Sequence, residues 1–333
     1  MRVLKLTERP SLQLRDRAAG EPALDIVVTR DDVLDQATFR ATGVLDLYET
    51  LFPASERDSS DDLVRWVLSE DVGEPRHFVV DGREMSYRLD SRCFILRAAE
   101  RAIGLGFFTY DHASRLIFCN HVGVARAWRG GGLARTFYRA MVGMLDALFP
   151  DHIGVVLEVE PFDRVRLAAI IADLEHAGRR PLAADEQAAI RKFLRVRWYD
   201  TLGHSVFRDA RTQRPLPCRS PCLDPSLPRA AWAGAEEDYW LMRQARSNAP
   251  PAAVSAGELW QTSVAAIYVE ILAKSLVDED PHDRRDYWHY ATALVAQTLQ
   301  QSAMAEVSLA PCLAPDDSQL LSRLRRLAID LSI

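Results

Sequence analysis

Short apolar runs alternate with helical hydrophobic periods between residues 24 and 207. Five runs have the length and the branched or aromatic content typical of strands, at residues 26–28, 94–96, 103–108, 116–124 and 155–159. The second and third runs flank Glu100 and Arg101, which predicts a hairpin turn there. Strands that alternate with helices predict a mixed α/β fold.

Helical periodicity is strongest over residues 132–148. Its apolar side chains fall on one stripe, formed by Leu133, Phe137, Met141, Met144, Leu145 and Leu148. Two shorter helices are predicted at residues 44–52 and 63–68, and Ser59 with its polar neighbours supplies capping chemistry for the second. Residues 165–203 predict a long helical stretch that breaks near Pro181.

The pattern changes in the last third of the chain. Residues 205–207 predict a short strand, the proline-rich residues 215–228 an ordered loop, and residues 239–242 the last strand. Three amphipathic helices follow, at residues 259–272, 288–299 and 320–331. We therefore divide the chain into an N-terminal extension (1–23), an α/β domain (24–245) and a C-terminal helical appendage (246–333).

Composition narrows the class of protein. Of the 333 residues, 48% are hydrophobic and 26% are charged, as in ordinary globular proteins. The 41 Lys and Arg against 47 Asp and Glu give a formal charge of −6, which argues against a nucleic-acid partner. No apolar run approaches the roughly 18 residues of a membrane span, and no apolar leader begins the chain. Five scattered cysteines favour a reducing compartment, so a cytoplasmic protein is expected.

One segment of the sequence has the features of an anion-binding site. Residues 120–135 predict a strand, a short turn and three glycines that open directly into the strongest helix of the chain. Glycines allow a phosphate to approach the free N–H groups at a helix N-terminus, so the segment predicts a phosphate or pyrophosphate cradle. Leu133 and Ala134 exclude a Walker loop, and Arg135 stands where a dinucleotide fingerprint needs its third glycine.

A metal site is not expected. Cys218 and Cys222 are separated by three residues and have no second pair nearby, so a structural loop is the better interpretation.

The strand ending in Val122, Gly123 and Val124, followed by Arg129-x-x-Gly132-x-Ala134 and an amphipathic helix, resembles the acetyl-CoA signature of the GNAT N-acetyltransferase superfamily. Residues 157–159 and 198–204 are similar to that superfamily's fifth strand and fourth helix. The resemblance covers about residues 24–245. It implies a GNAT-type mixed, splayed sheet flanked by helices, with acetyl-CoA as cosubstrate and no metal.

The resemblance also implies which residues bind the cofactor. The backbone of Val122 and Val124 would pair with the pantetheine arm. Backbone N–H groups between Arg129 and Arg135 would hold the pyrophosphate, and the Arg129 side chain would add a charge-assisted contact. The implied cofactor-binding set is Val122, Val124, Arg129, Gly130, Gly131, Gly132, Leu133, Ala134 and Arg135.

Amine acetylation needs a base for the attacking amine and a proton donor for the departing thiolate. By resemblance, Glu158 stands at the position of the base in enzymes that modify protein N-termini, with Glu160 as the alternate base. Tyr199 matches the tyrosine that protonates coenzyme A. Asn120 and His121, on the fourth strand, are further candidates. Glu158 has a plain alternative as an exposed strand carboxylate, and Tyr199 has one as a packing aromatic.

Two departures from the family pattern affect the acceptor. Asp163 replaces the asparagine that usually follows the fifth strand, and residues 164–190 form an inserted segment whose tip carries Arg179 and Arg180. The expected function is acetyl-CoA-dependent transfer to a primary amine of a small molecule or peptide. The alternative is a catalytically silent acyl-CoA-binding module. The C-terminal helices have three interpretations, namely a homodimer contact, a lid or a cover for the core.

Overall fold

The computed structural model describes residues 23–53, 57–68, 75–80, 82–177, 180–222, 228–234, 236–246, 254–276, 285–304 and 306–327. The predicted N-terminal extension lies outside the described residues except for residue 23. Residues 247–252, which follow the predicted boundary between 245 and 246, also lie outside them, as do the insertion tip at Arg179 and the predicted helix end at 328–331.

The fold is mixed α/β, as the alternating pattern predicts. The strands are β1 (Leu24–Val28), β2 (Arg76–Val80), β3 (Arg83–Tyr87), β4 (Leu89–Ala98), β5 (Arg101–Asp111), β6 (Leu116–Val124), β7 (Gly154–Val159), β8 (Ser205–Asp209), β9 (Pro217–Ser220), β10 (Glu237–Ala245) and β11 (Val307–Pro311). The helices are α1 (Gln36–Ala41), α2 (Val44–Leu51), α3 (Ser60–Leu68), α4 (Leu133–Leu148), α5 (Arg164–Ala177), α6 (Ala184–Asp200), α7 (Arg229–Trp232), α8 (Ala256–Leu276), α9 (Arg285–Met304) and α10 (Asp317–Arg326).

The chain divides into two compact units that share three of these strands. The first unit draws on the described residues of Met1–Gly73, Asp90–Tyr110 and Cys119–Asp151. The second draws on the described residues of Glu74–Leu89, Asp111–Phe118 and His152–Ile333. Each unit has its own hydrophobic core.

In the first unit the strands lie in the order β1-β4-β5-β6, and helices α1, α2 and α3 cover a core that includes Phe39, Tyr48 and Phe107. Helix α4 lies against β5 at Gly106. A Cβ atom at this glycine would come within 2.3 Å of the Met141 sulfur, so the close approach of helix and strand requires glycine there. The contact fixes the helix that follows the glycine triplet.

In the second unit the order is β6-β7-β10-β8-β11, and β9 pairs with β10. The β6–β7 ladder is parallel and joins Leu116–Phe118 to Gly154–Val156, whereas β10 is antiparallel to β7, β8 and β9. Helices α8 and α9 pack on these strands in one core, and α5, α6 and α10 form another.

Three features of the second unit differ from the sequence prediction. The β2–β3 hairpin was not predicted, and its mostly exposed side chains explain the weak signal. Strand β9 forms within the predicted loop because Pro217 occupies its first position, where a missing N–H is tolerated. Strand β10 is not the last strand, since β11 follows helix α9 and pairs with β8.

Candidate functional site

The segment predicted to cradle a phosphate lies wholly in the first unit. Strand β6 ends at Val124, and the Ala125 N–H donates to the carbonyl of Ile103 on β5 at 2.8 Å. A single 3-10 turn over Arg126–Trp128 follows. The Arg129 Nε then donates back to the Val124 carbonyl at 2.9 Å, so this side chain closes the loop onto the strand end. The loop shape is therefore fixed before any ligand binds.

The three glycines adopt left-handed backbone conformations, with φ of +90° at Gly130, +53° at Gly131 and +83° at Gly132. A Cβ atom at any of them would have no neighbour within 4 Å. Backbone conformation, not crowding, accounts for glycine here. All three residues are exposed, so the surface beside their backbone is open to a ligand.

Helix α4 begins immediately after the triplet with Gly132 as its N-cap. No side chain caps it, and its first turn contains no acidic residue. The first turn of this 16-residue helix therefore presents backbone N–H groups and the positive end of the dipole beside the glycine loop. Such a terminus attracts an anion.

The sequence around the loop carries a cationic bias that the glycine motif alone does not reveal. Residues 112–145 contain no Asp or Glu, and Arg115, Arg126, Arg129, Arg135 and Arg139 lie among them. Arg126 and Arg135 lie on either side of the glycines. The bias adds to the field of the helix terminus and favours a polyanion.

His121 lies on β6, in the first unit, one residue before Val122. Its Nε2 is 3.0 Å from the hydroxyl of Tyr48 on α2, and the Asp58 N–H donates to the same hydroxyl at 3.1 Å. The Asp58 carboxylate lies 3.8 Å from His121 Nε2. The rings of Tyr48 and Phe52 lie 5.1 and 4.8 Å from the imidazole and fix its plane.

This arrangement makes His121 a candidate for proton transfer. Burial, together with the Asp58 charge, raises the pKa of Tyr48, so its hydroxyl remains a neutral hydrogen-bonding partner. The Asp58 carboxylate faces the same Nε2 as the Tyr48 hydroxyl and would attract an imidazolium formed at His121. The sequence indicates His121 as a further candidate but carries no sign of Tyr48 or Asp58, which are distant along the chain.

Glu158 lies on β7 in the second unit, opposite Leu241 of β10. Its Oε1 is buried and has no hydrogen-bond partner among the described residues. Burial raises the pKa of Glu158 to about 8, with a further contribution from the nearby Glu270 carboxylate of α8. At neutral pH the side chain is therefore mostly protonated.

Glu160 has the opposite surroundings and lies one residue beyond the end of β7. Lys192 Nζ is 3.0 Å from its Oε1, and Arg195 Nη1 donates to its Oε2 at 3.0 Å. Both oxygens face cations of α6. The ion pairs stabilise the carboxylate and occupy the positions from which it would accept a proton.

Tyr199 lies in the last turn of α6 and is buried. Its ring contacts Trp198 and His204 edge to face, at 4.9 and 5.2 Å between centroids. The Tyr199 carbonyl lies 3.2 Å from His204 Nδ1, and burial lowers the pKa of His204 to about 4. His204 is thus neutral at neutral pH and holds the C-terminal end of α6.

The predicted insertion, residues 164–190, forms α5 and the first turns of α6. Asp163 ends the preceding segment and accepts the N–H groups of Val165 and Arg166, so it caps α5. At the described side of the insertion tip, Arg180 makes two hydrogen bonds to the carboxylate of Glu186. The segment packs with α10 rather than projecting alone.

Metal-binding clusters of three or more His, Cys, Asp or Glu do not occur in the described ranges. All five cysteines are buried thiols. Among the helices that the structure describes, none has the length and apolar character of a bilayer crossing.

No protein-family model and no curated protein matches the chain. Solved structures with similarity include a protein assigned to the GNAT acetyltransferase family from Bacteroides thetaiotaomicron, at 14% identity and a TM-score of 0.38. The match covers 74% of this chain and 96% of that one. Another is a tandem GNAT protein from the clavulanic acid biosynthesis pathway, without acetyl-CoA, at 10% identity and a TM-score of 0.33. Here 91% of this chain and 94% of that one are covered. Both TM-scores lie below 0.5, so a function for this chain has to rest on its own residues.

Proposed function

We propose that the protein is an acetyl-CoA-dependent N-acyltransferase that acetylates a primary amine. The observation that carries the proposal is the exposed glycine loop of the first unit. Its three left-handed glycines lead into an uncapped 16-residue helix, within a stretch of arginines and no acids. The Arg129-x-x-Gly132-x-Ala134 spacing, which resembles the GNAT acetyl-CoA signature, supports coenzyme A as the polyanion.

In the proposed complex, backbone N–H groups from Gly130 to Arg135 donate to the pyrophosphate. Val122 and Val124 pair through their backbone with the pantetheine arm, as a further strand would. The Arg129 Nε bond ties the two binding segments together and engages one lone pair of the Val124 carbonyl. Arg126 and Arg135 add positive charge at the loop.

The chemistry is direct acyl transfer. A base removes a proton from the amine as its nitrogen attacks the thioester carbonyl. The carbon–sulfur bond then breaks, and a hydroxyl proton passes to the departing thiolate. We propose Glu158 as the base and Tyr199 as the donor. A carboxyl group with a pKa of about 8 can remove a proton from an amine only in its deprotonated fraction, so activity should rise through pH 8.

His121 is a second candidate for the base, and a specific observation favours it. The Tyr48 hydroxyl is hydrogen-bonded to its Nε2, and the Asp58 carboxylate lies 3.8 Å from the same nitrogen, where it would attract an imidazolium. His121 also lies on the strand that carries Val122 and Val124. Glu160 is the weaker carboxylate candidate because Lys192 and Arg195 already pair with it.

The silent acyl-CoA-binding module is a second candidate function. It is favoured by the burial of the Glu158 Oε1 and by the ion pairs of Glu160, which leave the two predicted carboxylates poorly placed to meet an amine. A screen for coenzyme A release against a panel of primary amines separates the two functions. Acetyl-CoA binding without release in the presence of any amine supports the module.

Two matched variants at Gly132 test the cofactor assignment. Asn and Asp both tolerate a left-handed backbone and have nearly the same shape, but only Asp adds a negative charge beside the pyrophosphate. We expect Gly132→Asp to weaken acetyl-CoA binding about tenfold more than Gly132→Asn, measured by calorimetry. Equal acetyl-CoA affinities of the two variants would show that the pyrophosphate does not bind at this loop.

A further inference from the structure

The second unit contains a cavity of about 510 Å³ that the proposed chemistry does not use. It lies among the start of α5, the end of β8, the turn that follows β8, and β10. Its walls combine arginines with aromatic rings, and the side chains that decide its chemistry are Phe162, Arg164, Arg208, Arg214, Trp240 and Asp317. The volume is that of a small-molecule site.

Both carboxylates of the cavity are already engaged by their own unit. Asp163 caps helix α5 through the N–H groups of Val165 and Arg166. Asp317 is buried, and its Oδ2 accepts from the Arg164 Nη2 at 2.8 Å and from the Ala314 N–H at 2.7 Å. Its Oδ1 has no hydrogen-bond partner among the described residues. The Arg164 charge is thus neutralised by Asp317.

Arg208 is held by neutral groups instead. Its Nη1 donates to the Gln213 carbonyl at 2.8 Å, and its Nη2 lies 3.1 and 3.2 Å from the carbonyls of Pro311 and Cys312. These acceptors fix the guanidinium plane without pairing its charge. Burial lowers the pKa of Arg208, and the Arg164 charge acts in the same direction, while Asp317 offsets only part of the effect. A bound anion would stabilise this cation.

Arg214 adds a second cation from a structured turn. The Arg214 carbonyl accepts the Asp209 N–H at 2.9 Å, and Asp209 in turn holds the N–H groups of Arg211 and Thr212. No salt bridge of Arg208 or Arg214 is found within the described part of the chain. The turn therefore presents a positioned backbone and an exposed guanidinium at the mouth of the cavity.

The remaining wall is apolar. The Phe162 and Trp240 rings meet edge to face at 5.5 Å, and Phe162 packs in the same way on Phe193. Val165, which also lines the cavity, is 79% exposed and adds apolar surface at the rim. A ligand with a flat apolar body would cover these surfaces.

We propose that this cavity binds a small aromatic carboxylate. The carboxylate pairs with the guanidinium group of Arg214, since a planar anion matches a guanidinium edge with two hydrogen bonds. The Arg208 charge adds electrostatic attraction, because its Nη1 and Nη2 already donate to backbone carbonyls. The ring lies against Trp240 and Phe162, where aromatic contacts are favourable. The proposal concerns the second unit alone and does not depend on acetyl-CoA.

Benzoate, benzamide and inorganic phosphate are the probes, titrated into the full chain and followed by calorimetry and tryptophan fluorescence. Benzamide keeps the ring and loses the charge, whereas phosphate keeps the charge and lacks the ring. We expect benzoate to bind at least tenfold more tightly than either. Benzamide or phosphate binding as tightly as benzoate would overturn the assignment.

Arg214→Gln tests the location, with Arg211→Gln as its matched control. Both arginines are exposed on the same turn, but only Arg214 lines the cavity. We expect benzoate affinity to fall about tenfold in Arg214→Gln and to stay within twofold in Arg211→Gln. An equal loss of benzoate affinity in the two variants would show that benzoate is attracted by the general charge of the turn and does not bind in the cavity. Thermal unfolding of both variants confirms that each is folded.

Discussion

His121 of the first unit and Glu158 of the second are both candidates for the same proton transfer, yet their surroundings are opposite. His121 is hydrogen-bonded to Tyr48 and has a carboxylate 3.8 Å away. Glu158 has a buried oxygen without a partner among the described residues and a second carboxylate, Glu270, nearby. One site places a carboxylate beside a histidine, whereas the other disfavours a negative charge.

The comparison shows that the surroundings of a candidate base decide at which pH it can accept a proton. His121 has the Asp58 carboxylate 3.8 Å from its Nε2, a separation at which opposite charges attract. Glu158 begins protonated below pH 8 and must first lose that proton to water. The proposed Glu158 base therefore predicts alkaline activity, and a His121 base predicts activity without the step at pH 8.

The largest effect is expected from a pair of variants that remove one base each. Glu158→Gln should lower kcat/KM about a hundredfold or more and abolish the rise through pH 8, because the glutamine cannot accept the proton. His121→Gln, which keeps a polar nitrogen for Tyr48, should change kcat/KM by less than about threefold. Rates of coenzyme A release from about pH 6 to 9.5 measure both.

The reverse result would transfer the role to His121. In that case Asp58→Asn should also reduce kcat/KM, since it removes the charge that stabilises the imidazolium, while acetyl-CoA affinity stays unchanged. Unaltered activity in both single variants would contradict both candidates and leave water as the base.

A variant at Tyr199 distinguishes loss of the acid from loss of the base. Tyr199→Phe keeps the ring contacts with Trp198 and His204 and removes only the hydroxyl. We expect turnover to fall about a hundredfold, with acetyl-CoA binding retained. The turnover of this variant should be lower at every pH, and its rise through pH 8 should remain. Turnover within twofold of the parent would make Tyr199 a packing residue.

Stability offers a test of Glu158 that needs no substrate. Its pKa is higher in the folded chain, about 8, than the ordinary 4.5, so the folded state holds the extra proton between these values. The free energy of unfolding should therefore decrease as pH rises from 4.5 to 8, by at most about 1.4 kcal/mol per pH unit. Glu158→Gln should remove this part of the slope and be the more stable chain at pH 8.

Urea unfolding at several pH values measures the slope, with His121→Gln as the control that leaves Glu158 in place. Identical slopes in the parent and in Glu158→Gln would mean that the carboxyl group is ionised in the folded protein.

The smallest effect is expected at Glu270. Its charge contributes to the raised pKa of Glu158, but burial is the larger cause and remains after substitution. Glu270→Gln should therefore move the rise in activity to lower pH by a fraction of a unit. A pH-rate profile on the same acceptor detects it, and a rise that moves to higher pH would contradict the proximity of the two carboxylates.

Local sequence signals predicted the elements near the glycine loop accurately. Helix α4 was predicted at residues 132–148 and is observed at Leu133–Leu148, because a full apolar stripe and a glycine start mark both its face and its beginning. The hairpin at Glu100 is confirmed, with left-handed backbone at Ala99 and Glu100. Ser59 caps α3 as predicted, accepting the Asp62 N–H.

The surroundings of the candidate bases were not predictable, because they depend on distant residues. Tyr48 precedes His121 by 73 positions, and Glu270 follows Glu158 by more than a hundred. The cations that pair with Glu160 come from α6, more than thirty residues later. A strand carboxylate looks the same in sequence whether a cation or another carboxylate lies beside it.

Strand β11 pairs with β8 across about a hundred residues, and the bond from Arg208 to the Pro311 carbonyl spans 103 positions. During synthesis, β8 therefore emerges long before its partner and presents an open edge to other chains. Formation of this pairing closes a long loop and should be among the late steps of folding. Variants that weaken β11 should thus aggregate during expression more than their effect on the finished fold would suggest.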